Sequence, residues 1–480
     1  MANLKKSSKK RLNPDNASLD GVVTTVCPLT LQVNQFLNTH LKNDLNHKQY
    51  LLLALSGGLD SSVLLHLLAQ AKQRLPFELH ALHVHHGLSS NADNWADFCS
   101  QQCQLLDMPL QIVHVNIDKN SQRGIEAAAR NLRYEALFNC KLSADSHTEI
   151  LPNYVVTAHH QDDQAETLIL QLFRGAGVKG LSSMPSVDEN RRLLRPLLNV
   201  SRKALEAYAK LHHIRWCDDE SNDNTHYERN FVRHEVMPLL ETRHPAIKSI
   251  LARTASHLAD ANELLDTLAV IDAEQLLRDN SLCLLGLSAL DVARAKNLLR
   301  WWFSQNQLAM PTSDHLTEII QQLLNAKPDA DIHIQLQTND LGKFLSLKRF
   351  QKRAYLYHEQ DIQAFDLVWN GEPELLLPNG GALQFKQVIG AGLALKYGMT
   401  KLRITNRDGG ERFKPNPLRP TRTLKHLLQE AKIPPWKRAG LPLIYWQDTL
   451  AYVPAIGIAY ELQAAEDEQG LEIIWHDTSS

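Results

Sequence analysis

No stretch of this chain is apolar for the roughly 20 residues a bilayer-crossing helix needs. Its longest apolar runs, such as Tyr50–Leu55, have the length of a buried strand instead. Cysteine is scarce, with six in 480 residues: Cys27, Cys99, Cys103, Cys140, Cys217 and Cys283. Only Cys99 and Cys103 are close, four apart on an expected helix, and no second pair completes a zinc site. So few cysteines in so long a chain argue against a disulfide framework, and a reducing cytoplasm is the expected compartment. Excess charge is also lacking: the formal net charge is −2. The whole molecule is no polycation, and any nucleic-acid binding must come from local patches. There is no internal repeat, and low complexity is confined to the first twenty or so residues. These carry Lys5, Lys6, Lys9, Lys10 and Arg11 among Ser and Asn, with no apolar signal segment behind them. A solvated, disordered tail is expected there, RNA contact being the alternative.

What remains is the composition of a soluble globular protein, 44% hydrophobic and 22% charged, long enough for two to four domains. From Tyr50 to Arg195, apolar runs at Tyr50–Leu55, Leu79–Val84, Leu110–Val115 and Tyr154–Ala158 alternate with helix-like segments. Those segments are Ser61–Gln73, Asn91–Leu106 and Gly124–Cys140. Continuous apolar strands between helices predict an α/β fold with a Rossmann-like parallel sheet covered on both faces. Its ligand crevice lies beyond the carboxyl ends of the strands. Ala246 to Leu324 reads as mainly helical, with Trp301, Trp302 and Phe303 as core anchors, and from Leu367 the pattern turns to strands and turns. The expected division is a tail with a lead-in helix over 1–45, a catalytic domain over 46–240, a mainly helical domain over 241–360, and an α+β domain over 367–477.

The first expected strand runs into Ser56-Gly57-Gly58-Leu59-Asp60-Ser61 and then a helix. Two glycines let backbone N–H groups converge, and the helix start adds partial positive charge, which makes an anion site. Ser56, Ser61 and Ser62 can donate to phosphate oxygens. Asp60 would repel a bare phosphate, so it implies a bridging Mg²⁺ or another cation. No Gly-Lys-Ser/Thr follows, so this is not a Walker loop. The plainer reading is a capped strand–helix turn.

The SGGLDS segment resembles the pyrophosphatase loop of the N-type ATP pyrophosphatases, which split ATP to AMP and pyrophosphate while adenylating a carbonyl oxygen. Three more segments narrow the choice. In Gly124–Tyr134, Glu126, Arg130 and Arg133 share a helix face suited to phosphate, or else form a surface ion pair. In Thr157–Thr167, His159, His160, Asp162, Asp163 and Glu166 gather where a strand enters a helix. Such carboxylates can hold Mg²⁺ or a substrate ammonium, and also cap the helix. The two histidines lack a third ligand for zinc. Asp219-Glu220-Ser221-Asn222 with Arg229, Asn230 and Arg233 could pin the domain's end or contact RNA.

In this order, with Phe173-Arg174-Gly175 and Gly177, the segments resemble the tRNA(Ile)-lysidine synthetases, long bacterial form, over roughly Leu51 to Tyr460. Arg407–Arg412, Leu424–Glu430 and Ile433–Arg438 resemble that family's C-terminal domain. The resemblance implies an adenine nucleotide α-hydrolase-like first domain and a ligase using ATP, Mg²⁺ and free L-lysine on a tRNA(Ile) with a CAU anticodon. Ser56 to Ser61 would hold the nucleotide and Asp60 the Mg²⁺. Asp162 and Asp163 would position the lysine amine, and Arg130 and Arg133 would neutralise the adenylate or RNA phosphate. His159 and His160 are both candidates for proton transfer. Independently, Lys401 to Arg438 holds eleven Lys and Arg against three Asp and Glu, a candidate RNA patch. Trp436 there could stack on a base or lie in a core. The rival readings are a tRNA thiolase, for which the cysteines are wrongly spaced, and a tRNA-binding protein without catalysis. The number of subunits is open, a homodimer included.

Overall fold

The computed structural model describes residues 27–41, 48–87, 89–117, 125–145, 148–218, 220, 224–327, 332–338, 344–359, 362–397 and 401–476. The basic N-terminal tail, Asp219, Ser221 and Asn222, and the side chain of Glu126 lie outside the described residues. The chain forms two compact units, Met1–Leu264 and Leu265–Ser480.

The first unit runs α1 (Pro28–His40), β1 (Gln49–Ala54), α2 (Leu59–Lys72), β2 (Phe77–His85), α3 (Ala92–Leu105), β3 (Leu110–His114) and α4 (Ile125–Phe138). A small hairpin of β4 (Leu142–Asp145) and β5 (Thr148–Ile150) precedes β6 (Tyr154–Val156), α5 (Gln161–Phe173) and α6 (Val178–Leu181). Then come β7 (Val187–Asp188), β8 (Leu193–Leu194), α7 (Arg202–Leu211), α8 (Glu228–Phe231), a π-turn (Val232–Val236), α9 (Met237–Arg243) and the first part of α10 (Ile247–Leu276), whose residues from Leu265 on belong to the second unit. The sheet order is β3-β2-β1-β6-β8-β7, parallel except for the edge strand β7.

Each strand's apolar run divides between two cores. Leu51 and Leu53, Val156 and Leu194 pack on one face with α1, α2 and α7. Leu52, Val155 and Leu193 pack on the other with Leu137 of α4. Side chains alternate faces along a strand, so a run without polar gaps is what a doubly covered sheet requires. The helix expected as a lead-in belongs to this packing, with Val33 and Leu37 of α1 fully buried.

In the second unit, helices Leu284–Ala289, Val292–Gln305 and Ser313–Asn325 pack with a five-stranded sheet. Trp302 and Phe303 fill that core, while Trp301 lies only partly buried at its flank. The strands of that sheet between 277 and 283 interrupt the helical stretch that periodicity suggested, because each is only two or three residues long. Further on, two sheets of five and four strands share a core that includes Trp369, Phe385 and Phe413. Trp436 is neither free nor central. It is half-buried, 5.6 Å from Tyr355 and 6.2 Å from both Phe350 and Tyr357, with the Lys348 ammonium 5.7 Å from its ring. Of the basic segment, Arg403, Arg407 and Arg422 pair with Asp366, Glu411 and Glu430, while Lys401, Lys425 and Lys432 are exposed. Among the described residues no helix is long and apolar enough to cross a membrane.

Candidate active site at the glycine turn

β1 ends at Ala54 and α2 begins at Leu59, so Ser56, Gly57 and Gly58 form the turn between them. Gly57 has φ +85°, and a Cβ there would sit 3.1 Å from Cys99 Sγ. The positive φ calls for glycine, and an added Cβ would also crowd Cys99. Gly57→Ala is expected to cost about 1–2 kcal/mol from the left-handed backbone alone. A lower urea midpoint together with a raised KM for ATP checks it.

The hydroxyls brace the loop. Ser56 Oγ lies 3.0 Å from Ser61 Oγ, Ser61 Oγ donates to Gly58 O at 3.1 Å, and Ser62 Oγ to Gly57 O at 3.4 Å. Ser61 and Ser62 are buried, Ser56 is exposed, and the Leu59 side chain belongs to the core, so Leu59 can offer only backbone to a ligand. Cysteine is closer to this loop than the motif spacing suggested. Cys99 lies beneath Gly57, and the Cys217 N–H donates to Gly57 O at 2.9 Å. Burial pushes the Cys99 thiol up to about 12 and that of Cys103 up to about 11, so neither is a ready nucleophile.

The Asp60 carboxylate faces the start of α5. Its Oδ2 lies 3.4 Å from His160 Nε2, and its Oδ1 is buried with no hydrogen-bond partner. An unpartnered carboxylate oxygen beside an anion-binding turn suits a divalent cation, so the residues fit Mg²⁺.

His160 caps α5 through a reciprocal box. Its Nδ1 accepts from Asp162 N at 3.2 Å, while its own N–H donates to Asp163 Oδ2 at 3.0 Å. Using Nδ1 as acceptor places the ring proton on Nε2, toward Asp60 and Asp163. Burial alone would lower this histidine's pKa, but Asp163, Asp60 and Asp162 together raise it.

The carboxylates expected to stand open are already engaged. Asp162 Oδ2 meets Lys248 Nζ at 3.0 Å, and its Oδ1 accepts from Arg202 N at 3.1 Å at the start of α7. Asp163 Oδ1 accepts from Arg229 at 2.8 Å and Arg233 at 3.2 Å. Glu166 takes both Arg229 Nε at 2.9 Å and Arg233 Nε at 2.6 Å. Despite burial, His160 and Arg229 hold the Asp163 carboxyl well below the usual range, and Lys248 and Arg202 N–H lower that of Asp162. Among the described residues no cluster of three His, Cys, Asp or Glu groups has metal-site geometry. The arginines of the third motif therefore pin α8 and the π-turn onto α5.

His159 Nδ1 lies 2.8 Å from Thr157 Oγ1. Burial pulls its pKa down to about 3; Asp163 opposes the fall, and Arg195, Arg229 and Arg130 add to it. An unfolded histidine titrates near 6.5. Below that pH the unfolded chain binds a proton the folded chain refuses, so stability should decline from about pH 6.5 toward about 3. His159→Asn should flatten that limb in urea midpoints measured across the range.

Arg130 and Arg133 serve different neighbours. The Arg130 guanidinium lies 5.2 Å from the Tyr134 ring centroid, and Arg133 Nε donates to His86 Nε2 at 3.4 Å. Sequence reasoning passed over Lys248, the buried Arg195 after β8, and the histidines at the ends of β2 and β3. His85 and His114 pack at 4.4 Å, and with His86, Gly87 and Asn116 they line a cavity of about 330 Å³. Two histidines at the carboxyl ends of adjacent parallel strands were the available signal.

A parallel sheet that offers a glycine turn and a poised carboxylate at its carboxyl edge defines a nucleotide-using enzyme of the PP-loop class. The family described as PP-loop domain matches residues 29–240. The families described as TilS substrate binding domain and TilS substrate C-terminal domain match 282–355 and 402–475. A tRNA(Ile)-lysidine synthase of Nitrosomonas europaea is 42% identical, over 89% of this chain and 92% of its own. That of Serratia proteamaculans is 39% identical, over 92% of this chain and 99% of its own. The chain belongs to the tRNA(Ile)-lysidine synthase family. Among solved structures, the U34-tRNA thiolase NcsA of Methanococcus maripaludis overlays 48% of this chain and 79% of its own, at 18% identity and TM-score 0.39.

Proposed function

We infer that the chain ligates free L-lysine to the cytidine at the first anticodon position of a CAU-bearing tRNA(Ile), giving lysidine. The cytidine ring carbonyl oxygen attacks the α-phosphorus of ATP and pyrophosphate departs. The ε-amine of lysine then attacks the activated ring carbon and AMP leaves with the oxygen. Cytidine's carbonyl carbon is a poor electrophile, and adenylation converts its oxygen into a good leaving group. The observation that carries this reading is the Asp60 carboxylate, one oxygen buried and unpaired at the glycine turn, in a chain that matches lysidine synthases along most of its length.

The backbone of Ser56 to Ser61 cradles the triphosphate. Asp60 would hold Mg²⁺, which when bound neutralises charge on the pyrophosphate oxygens. Arg130 offers a cation to the adenylate or the RNA. Asp163 orients His160, and His159, neutral at working pH, can accept or donate a hydrogen bond in the crevice. Asp162 pairs with the Lys248 ammonium, and a substrate amine there would compete with that side chain. The enzyme is expected to work in the cytoplasm. A thiolase needs a reactive sulfur, and burial keeps Cys99 and Cys103 as thiols.

Labelled lysine incubated with the protein, ATP, Mg²⁺ and bulk tRNA should enter the tRNA with stoichiometric pyrophosphate release. RNA binding without either product would favour a non-catalytic scaffold. The exposed Lys401 and Lys425 should contribute phosphate contacts. Replacing both with alanine should reduce the slope of log affinity against log salt by about 1–2, read by filter binding.

A further inference from the structure

Arg195 is buried, whereas the paired cations of the first unit are only partly so. Arg229, Arg233 and Lys248 each meet a carboxylate within 3.2 Å. Arg195 is 4% exposed and forms no ion pair among the described residues. Its Nη1 donates to Pro185 O at 2.7 Å, its Nε is buried with no partner, and the Tyr134 hydroxyl is near enough to bear on its charge. Asp188 acts on it only at longer range, against Arg191. A guanidinium held out of water without a counter-ion is costly to keep, and its open donor points to a missing acceptor.

Its surroundings say what that acceptor is. Arg195 follows β8, beside β6, near the point where the sheet order reverses. Ligands of open α/β sheets collect there. Tyr134 neighbours Arg130 and bears on Arg195, and the neutral His159 feels both cations. The local balance is positive, and the fork of a guanidinium matches two oxygens on one atom. RNA phosphates are bulky and hydrated, whereas a guanidinium this deep favours a small anion that can enter the crevice whole.

We propose that Arg195, with the Tyr134 hydroxyl, binds the α-carboxylate of the free amino acid, leaving its side-chain amine directed toward the activated base. This rests on lysine being the co-substrate. It makes Arg195 the residue that separates an amino acid from a simple diamine.

The test compares L-lysine with 1,5-diaminopentane, which keeps both amines and lacks the carboxylate, in steady-state ligation to tRNA. In Arg195→Met the KM for lysine should rise about 10- to 100-fold. The KM for diaminopentane and for tRNA, and the lysine-independent transfer of AMP to tRNA, should hold. Arg195→Lys, keeping charge without the fork, should fall between. An unmoved lysine KM, or equal losses for both amines, overturns the proposal in favour of a structural role. A shift in the tRNA KM assigns the site to an RNA phosphate and overturns it too. If Arg195→Met fails to fold, Tyr134→Phe decides: a raised lysine KM with diaminopentane unchanged supports the site, and no rise overturns it. A wild-type protein that transfers no AMP to tRNA defeats the ligase reading first, and this proposal with it.

Discussion

Asp60→Ala is expected to reduce pyrophosphate release from ATP by about 10²–10³-fold, the scale seen when one preorganised electrostatic group is removed from a charged transition state. The side chain is one-quarter exposed, so its loss should leave the melting temperature nearly unchanged. Its Oδ1 has no partner to abandon. Asp60→Asn separates charge from shape: it keeps the volume and one carbonyl oxygen but cannot neutralise a cation, and should behave like alanine. If raised Mg²⁺ partly restores Asp60→Asn, the side chain holds the ion. Unchanged pyrophosphate release in either variant would exclude the metal role.

Glu166→Ala should act oppositely, on stability before chemistry. Glu166 is 3% exposed and receives three guanidinium hydrogen bonds, two from Arg233 and one from Arg229. Removing it leaves two adjacent, partly buried guanidiniums sharing Asp163, and breaking such a pair on one side costs up to about 3–5 kcal/mol, the scale of a fully buried one. For a unit of this size the melting temperature should fall by roughly 10 °C. Glu166→Gln keeps the packing and tests the charge. Were calorimetry to show either variant melting with the wild type, the network would be a surface-like pair of little consequence.

The sequence revealed the sheet because its signal is local. Each long strand is a single apolar run next to a helix period, and the limits fell within a residue or two of Gln49–Ala54 and Leu110–His114. β7 and β8 escaped notice, since two residues show no period. The glycine turn was legible because its physical demands, a positive φ and a helix start, fall within six residues. The state of Asp162, Asp163 and Glu166 was not. Their motif reads as an open acidic cluster, and the cations that close it arrive 66 residues later at Arg229, with Lys248 later still. Arg195 was hidden for the same reason: one more arginine after Arg191, Arg192 and two leucines has no pattern, and only the folded chain shows that it lacks an acid among the described residues. Trp436 shows the limit from the other side, because its partners at Phe350, Tyr355 and Tyr357 lie on a hairpin far earlier in the chain.

The His160 cap gives the enzyme a built-in gauge. With Nδ1 committed to the helix start and Nε2 turned toward Asp60, the ring is confined to one tautomer, which nitrogen NMR can recognise. A cation that draws Asp60 away alters the field at Nε2 and leaves Nδ1 fixed. The two ring nitrogens should therefore respond unequally when metal and nucleotide arrive. One resonance would record occupancy of the glycine turn, and the other would record whether α5 keeps its first turn.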